Sequence, residues 1–288
     1  MSTHTHRNGH QPIGWRWLIV VALSLIGVQS VLAAPARQSV IHKVYITDVR
    51  DGQFVVSWAT DTPSDGQVEW GTTAALGFTA TDPVASTTSH YVTITGLSPA
   101  ATYYFQVRSG SLLDDNAGAL YTVTTGPVLG IPPSSKNIYG YVFQVNGTTP
   151  AANAVVYVQI QDNNGAGSAG NSQVLTLRTD ATGGWGFINL SDARTAAADA
   201  YFTFSDTADN LSLIAQGGNL GVAQQIVAVP ATYPGQVVDL VLDSSPVAVT
   251  LQNFQAASPT PLTVWPWGAL GAIGLALWFA RRRVAYRR

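Results

Sequence analysis

Between residues 39 and 242 the chain is a series of short runs in which apolar and polar side chains alternate, and Gly, Pro, Asn or Asp closes each run. A period of two sends successive side chains to opposite faces of an extended strand, so the pattern specifies sheets with a buried face. Phe54, Val56 and Trp58 fall on one face of such a strand, with Val55, Ser57 and Ala59 on the other. Val68 and Trp70 alternate with Gln67 and Glu69, and Tyr103, Phe105 and Val107 with Tyr104, Gln106 and Arg108. Arg50-Asp51-Gly52 reads as a tight hairpin turn. After a Pro/Gly-rich stretch at 126–135, strand patterns resume over 138–144, 154–161, 173–178, 185–188, 200–204, 211–215, 225–229 and 237–242. Val156, Val158 and Ile160 share one face there. The chain has no cysteine, so each block must be held by its own core. The expectation is an all-β protein of two tandem antiparallel β-sandwiches, with a linker at 127–135 that limits contact between them.

The two ends read differently. Residues 1–14 are polar with Arg7, and a short apolar run follows at 17–28. Val31-Leu-Ala33 and Ala34-Pro-Ala36 are both small-x-small cleavage patterns, so residues 1–34 are expected to be a signal peptide, with either cut open. Residues 264–280 form an uncharged apolar run, about 25 Å long as a helix and close to a bilayer's hydrocarbon thickness. Trp265, Trp267 and Trp278 sit near its two ends, where indoles favour the membrane interface, and Arg281, Arg282 and Arg283 follow at once. Arginines stay on the cytoplasmic side, so a single transmembrane helix with a basic cytoplasmic tail at 281–288 is expected, the rest lying outside. Gly268, Ala272, Ala276 and Ala280 make a small-residue stripe on which a helix of a membrane complex could pack. Residues 244–263, polar and Pro-containing, are expected to be a stalk.

Two resemblances follow from the motifs. Val56-Ser-Trp58, Gly66-Gln-Val-Glu-Trp-Gly-Thr-Thr73 and Gly96-Leu-Ser-Pro-Ala-Ala-Thr-Tyr-Tyr-Phe-Gln-Val107 make residues 38–126 similar to a fibronectin type III domain. The likeness is closest to the variety in bacterial surface proteins and at the N-terminus of purple acid phosphatases. It implies an immunoglobulin-like sandwich in which Trp58, Leu97 and Pro99 are structural and Tyr103 pins a corner between two strands. Ile138-Tyr-Gly-Tyr-Val142, Ala154-Val-Val-Tyr-Val158 and Gly184-Trp-Gly-Phe187 make residues 136–243 resemble a carboxypeptidase regulatory-like or Cna-B-like sandwich, with Trp185 structural. Some Cna-B domains form a Lys–Asn isopeptide bond. Lys136 is the sole lysine in this block, no Glu accompanies it, and a solvated lysine is expected instead.

Charge and motif content narrow the function. The exported part, 35–263, holds sixteen acidic side chains against seven basic ones, a net charge of −9, while five arginines crowd the C-terminus. That balance argues against nucleic acid as a partner, since binding it rests on Lys and Arg. After signal removal the only histidines are His42 and His90, and no thiol, Ser-His-Asp ordering or phosphate loop stands out. Asp114-Asp115-Asn116 and Asp162-Asn163-Asn164 lack the ligand spacing of a calcium loop and read as polar turns. No catalytic residue, metal or cofactor is expected. The expected role is a membrane-anchored surface protein whose sandwiches space or bind an extracellular protein or glycan, the alternative being an accessory subunit of a membrane complex. Exposed aromatics such as Tyr104 and Tyr139 could stack on sugars.

Overall fold

The computed structural model describes residues 39–243. The expected signal peptide, stalk, span and tail, with Trp265, Trp267, Trp278, Gly268, Ala272, Ala276, Ala280 and Arg281–Arg283, all lie outside the described residues. Among the described residues no helix is long and apolar enough to cross a membrane.

The first block folds into eight strands: β1 Tyr45–Thr47, β2 Gln53–Ser64, β3 Gly66–Gly71, β4 Phe78–Thr81, β5 Thr87–Thr95, β6 Thr102–Ser109, β7 Leu112–Asp114 and β8 Tyr121–Thr124. One sheet runs β1-β2-β5; the other runs β4-β3-β6, with β7 and β8 both pairing β6. All these pairings are antiparallel. The inward faces carry the side chains that the alternation selects, Phe54, Val56, Trp58, Val68, Val92, Ile94, Phe105 and Val107, all buried in one cluster. Over 40–49 only Tyr45–Thr47 pairs along a ladder, with an isolated bridge at Ile41.

The second block has nine strands: β9 Asn137–Tyr139, β10 Val142–Phe143, β11 Val155–Gln161, β12 Leu175–Arg178, β13 Ile188–Asn189, β14 Asn210–Gln216, β15 Val222–Ala228, β16 Gly235–Gln236 and β17 Leu240–Val241. A four-stranded antiparallel sheet, β12-β11-β14-β15, faces a layer made of β13-β9-β16 and β10-β17. Ile138, Val142, Val156, Val158, Ile160, Trp185, Leu211 and Leu213 fill the space between them. The expectation of a wholly antiparallel sandwich is corrected here: β16 runs parallel to β9 and β17 parallel to β10, because the chain returns to that layer from the far sheet rather than by a hairpin. Residues 200–204 are not a strand. Phe202 plugs the core; its amide bonds to Ala193 O at 2.8 Å as part of a single bridge between Tyr201 and Arg194, and Thr203 N then turns to Ser168 Oγ, so the pairing does not extend into a ladder.

Candidate functional site

The outward faces of β2 and β5 would meet water in an isolated sandwich. They meet the four-stranded sheet of the second block instead, and this corrects the reading of 127–135 as a separator. Val155 and Tyr157 of β11 and Ile214 of β14 are buried with Tyr45 of β1, and Tyr91 and Val174 pack around them. Tyr157 sits edge-on to Tyr45, with ring centres 5.5 Å apart, and its hydroxyl lies 2.9 Å from Ser57 Oγ. Burial holds the Tyr157 hydroxyl well above the usual phenol range, with Ser57 offsetting part of that. A main-chain bond also crosses the seam, from Asp48 N to Val174 O at 3.0 Å.

The strongest polar contact is Arg178 on Asp82. Both terminal nitrogens of Arg178 reach the carboxylate at 2.6 Å, in the bidentate geometry a guanidinium favours. Arg178 also donates to Ser89 O at 3.3 Å and lies 5.6 Å from the Tyr91 ring centre. Asp82 accepts two backbone amides as well, Val84 N at 2.9 Å and Tyr91 N at 3.0 Å. Burial by itself would push this carboxyl up, but bonds from His90, Arg178 and the amides outweigh it and hold it at about 2. A second anchor joins Arg194, buried in the second block, to Asp51 at 2.7 Å, and Arg50 reaches Asp192 at 3.5 Å. The predicted turn residues Arg50 and Asp51 thus serve as seam anchors. At a third point Thr88 Oγ1 and Asn219 exchange bonds at 3.0 and 3.1 Å. Gly218 there has φ +62, and a Cβ on it would stand 2.2 Å from Thr88 Oγ1, so the close approach depends on glycine.

Asp48 is the odd member of the seam. Its nearest cation is Arg50 at 3.8 Å, and Oδ2 has no hydrogen-bond partner. Burial raises its pKa from 3.8 to about 7, against the opposing pull of Arg50 and Thr176 and with Asp192 adding to the rise. The folded pKa lies above the unfolded one, so this group's contribution is full below about pH 4 and is lost as pH rises towards 7. Asp48→Asn should therefore raise the melting temperature at pH 8 and leave it nearly unchanged at pH 4. Equal effects at both pH values, in melting curves followed by circular dichroism, would contradict the assignment.

The residue types of a hydrolytic triad meet in the first block. His90 Nε2 lies 3.3 Å from Ser64 Oγ and 3.4 Å from Thr60 Oγ1, and its Nδ1 lies 3.5 Å from Asp82. The imidazole is fully buried and stacked on Trp58 at 4.9 Å, and Nε2 is divided between two hydroxyls at long range. Asp82 is committed to Arg178. This geometry braces the seam; it does not single out one hydroxyl for activation.

The remaining residues named from sequence fall in separate places. Trp58 is buried and donates to Ser109 Oγ at 2.7 Å, Leu97 is in the first core, and Pro99 is exposed. The Tyr103 hydroxyl accepts from Ser98 N at 2.8 Å, and Trp185 is buried in the second core beneath Gly140. His42 pairs with Asp61 at 2.7 Å. Asp114, Asp115 and Asp162 accept amides of their own turns. Lys136 is not simply solvated: its ammonium holds both oxygens of Asp206 at 2.6 and 2.7 Å and lies over the rings of Phe204 and Tyr233. Among the described residues no cluster of three or more His, Cys, Asp or Glu could hold a metal.

Residues 41–125 match the family model described as purple acid phosphatase, N-terminal domain. With strand order β1-β2-β5 facing β4-β3-β6-β8, this makes the first block a fibronectin III-like sandwich. Among solved structures the chain is similar to the chicken CNTN1 FN1-FN3 domains, at 10% identity and a TM-score of 0.23. The alignment covers 70% of this chain and 65% of that one, so the chain spans less than two thirds of that structure's length. A comparison with curated proteins finds no match.

Proposed function

We propose that the protein is a membrane-anchored, extracytoplasmic spacer and binding unit without catalytic turnover of its own. The observation that carries this reading is the buried seam, which makes one body of two sandwiches and joins them through Arg178–Asp82, Arg194–Asp51 and Arg50–Asp192. Among the described residues the triad-like constellation has its imidazole and carboxylate buried, with Asp82 held by Arg178. The apolar run at 264–280, its tryptophans and the arginines behind it support an anchor with the sandwiches outside. The motifs of 136–243 support a carboxypeptidase regulatory-like or Cna-B-like ancestry for the second sandwich, and the fibronectin-type motifs support a bacterial surface protein.

Topology is the cheapest part to test. Protease added to intact cells should remove an epitope placed within 39–243 and spare one placed after Arg288. Digestion of the C-terminal epitope from outside would overturn the orientation.

A further inference from the structure

The second layer of the second sandwich turns a row of aromatic rings outward. Ile138 and Val142 point into the core and Gly140 lies against Trp185, so Tyr139, Tyr141 and Phe143 share the opposite face. Phe187, 61% exposed, stands edge-on to Tyr139 with centres 5.5 Å apart. Tyr141, 37% exposed, lies nearly parallel to Phe143 at 6.4 Å. Tyr139 to Phe143 spans about 13 Å at ~3.3 Å per residue, long enough for several sugar rings in line. Exposed Val238 and Val241 extend the layer, and exposed Gln236 is paired opposite Tyr139. Large side chains of this kind on one open layer mark an interaction surface.

Charge decides what it takes. The second block has three basic residues, and a carboxylate holds each: Lys136 by Asp206, Arg178 by Asp82 and Arg194 by Asp51. No unpaired cation is left there for an anionic polymer. Beside Tyr141, Asp180 is fully exposed, and its bonds from Thr182 and Gly184 all fall on Oδ1, which leaves Oδ2 for a ligand hydroxyl. Asp239 is exposed on the same segment as Val238. Flat rings bordered by carboxylates and an amide suit a neutral ligand with apolar C–H faces and hydroxyl edges. We infer that the Tyr139–Tyr141–Phe143–Phe187 face binds a neutral oligosaccharide, stacking its pyranose rings on the aromatics and accepting its hydroxyls at Asp180 and Gln236.

This inference rests on the binding role proposed above and assigns its ligand class and surface. The test uses the full chain in detergent micelles, titrated calorimetrically with cello-, malto-, xylo- and chito-oligosaccharides, with heparin and polylysine as charged probes. At least one neutral oligosaccharide should bind. Tyr141→Ala and Phe187→Ala should each weaken it about tenfold or more while leaving the melting temperature unchanged, and Tyr141→Phe should retain most of the affinity. Neutral-glycan binding that neither alanine variant changes would keep the binding role and overturn this surface. A face that instead binds polylysine, or whose alanine variants dissolve a dimer in sedimentation, has a different occupant and overturns the ligand class. If no oligosaccharide binds but crosslinking on intact cells captures a stoichiometric protein partner, the glycan inference fails and the binding role stands. If neither is found, both fail.

Discussion

Arg178→Ala is expected to lower the unfolding free energy by about 3–5 kcal/mol, because it leaves Asp82 charged and buried without its cation. The loss falls on both sandwiches, since Asp82 belongs to one and Arg178 to the other. Chemical denaturation at pH 7 measures it directly. Asp82 is held at about 2, below its ordinary 3.8, so its contribution is present above about pH 4 and is lost as pH falls towards 2. The deficit of Arg178→Ala should accordingly shrink below pH 4. A double-mutant cycle with Asp82→Asn should return a coupling energy of about 0.5–3 kcal/mol. Simple additivity would mean that the 2.6 Å contacts contribute nothing to stability.

Trp58→Ala is the second large effect, again about 3–5 kcal/mol, from the cavity left by a buried indole and the lost bond to Ser109. Its consequence reaches beyond its own core. Trp58 stacks on His90, His90 neighbours Asp82, and Asp82 holds Arg178 of the second sandwich. With a linker that kept the sandwiches apart, the second would stay folded in this variant. Across a shared seam, both should lose stability together. Trp185 is the one tryptophan of 136–243, so its fluorescence reports on the second block once the other tryptophans are replaced by Phe, and a Trp185 transition unmoved by Trp58→Ala would show that the seam does not couple them.

Inward positions were legible because period-two alternation selects them whatever the outer face meets. Phe54, Val56 and Trp58 could be placed without knowing their neighbours. The outer faces were harder to read. Val55, Ser57 and Ala59 are buried too, by the second sandwich, and so are Val155, Tyr157 and Gln159. A signal was present: neither β2 before Asp61 nor β11 carries a charge on either face, as befits strands covered on both sides. What sequence could not supply was the pairing of Asp82 with Arg178 or Asp51 with Arg194, 96 and 143 residues apart. Each looks alone like a surface charge. The Ser64–His90–Asp82 meeting was invisible for the same reason, since its members come from a strand end, a loop and the interior of β5. The parallel returns of β16 and β17 have no local signature at all, because a two-residue strand has no periodicity to read.

The buried seam between the sandwiches makes 39–243 one cooperative body. Differential scanning calorimetry of the chain at pH 7 tests it most directly. A single transition with matching calorimetric and van't Hoff enthalpies is expected, moved as a whole to lower temperature by Arg178→Ala. Two resolved transitions, with Arg178→Ala shifting neither or only one, would contradict it.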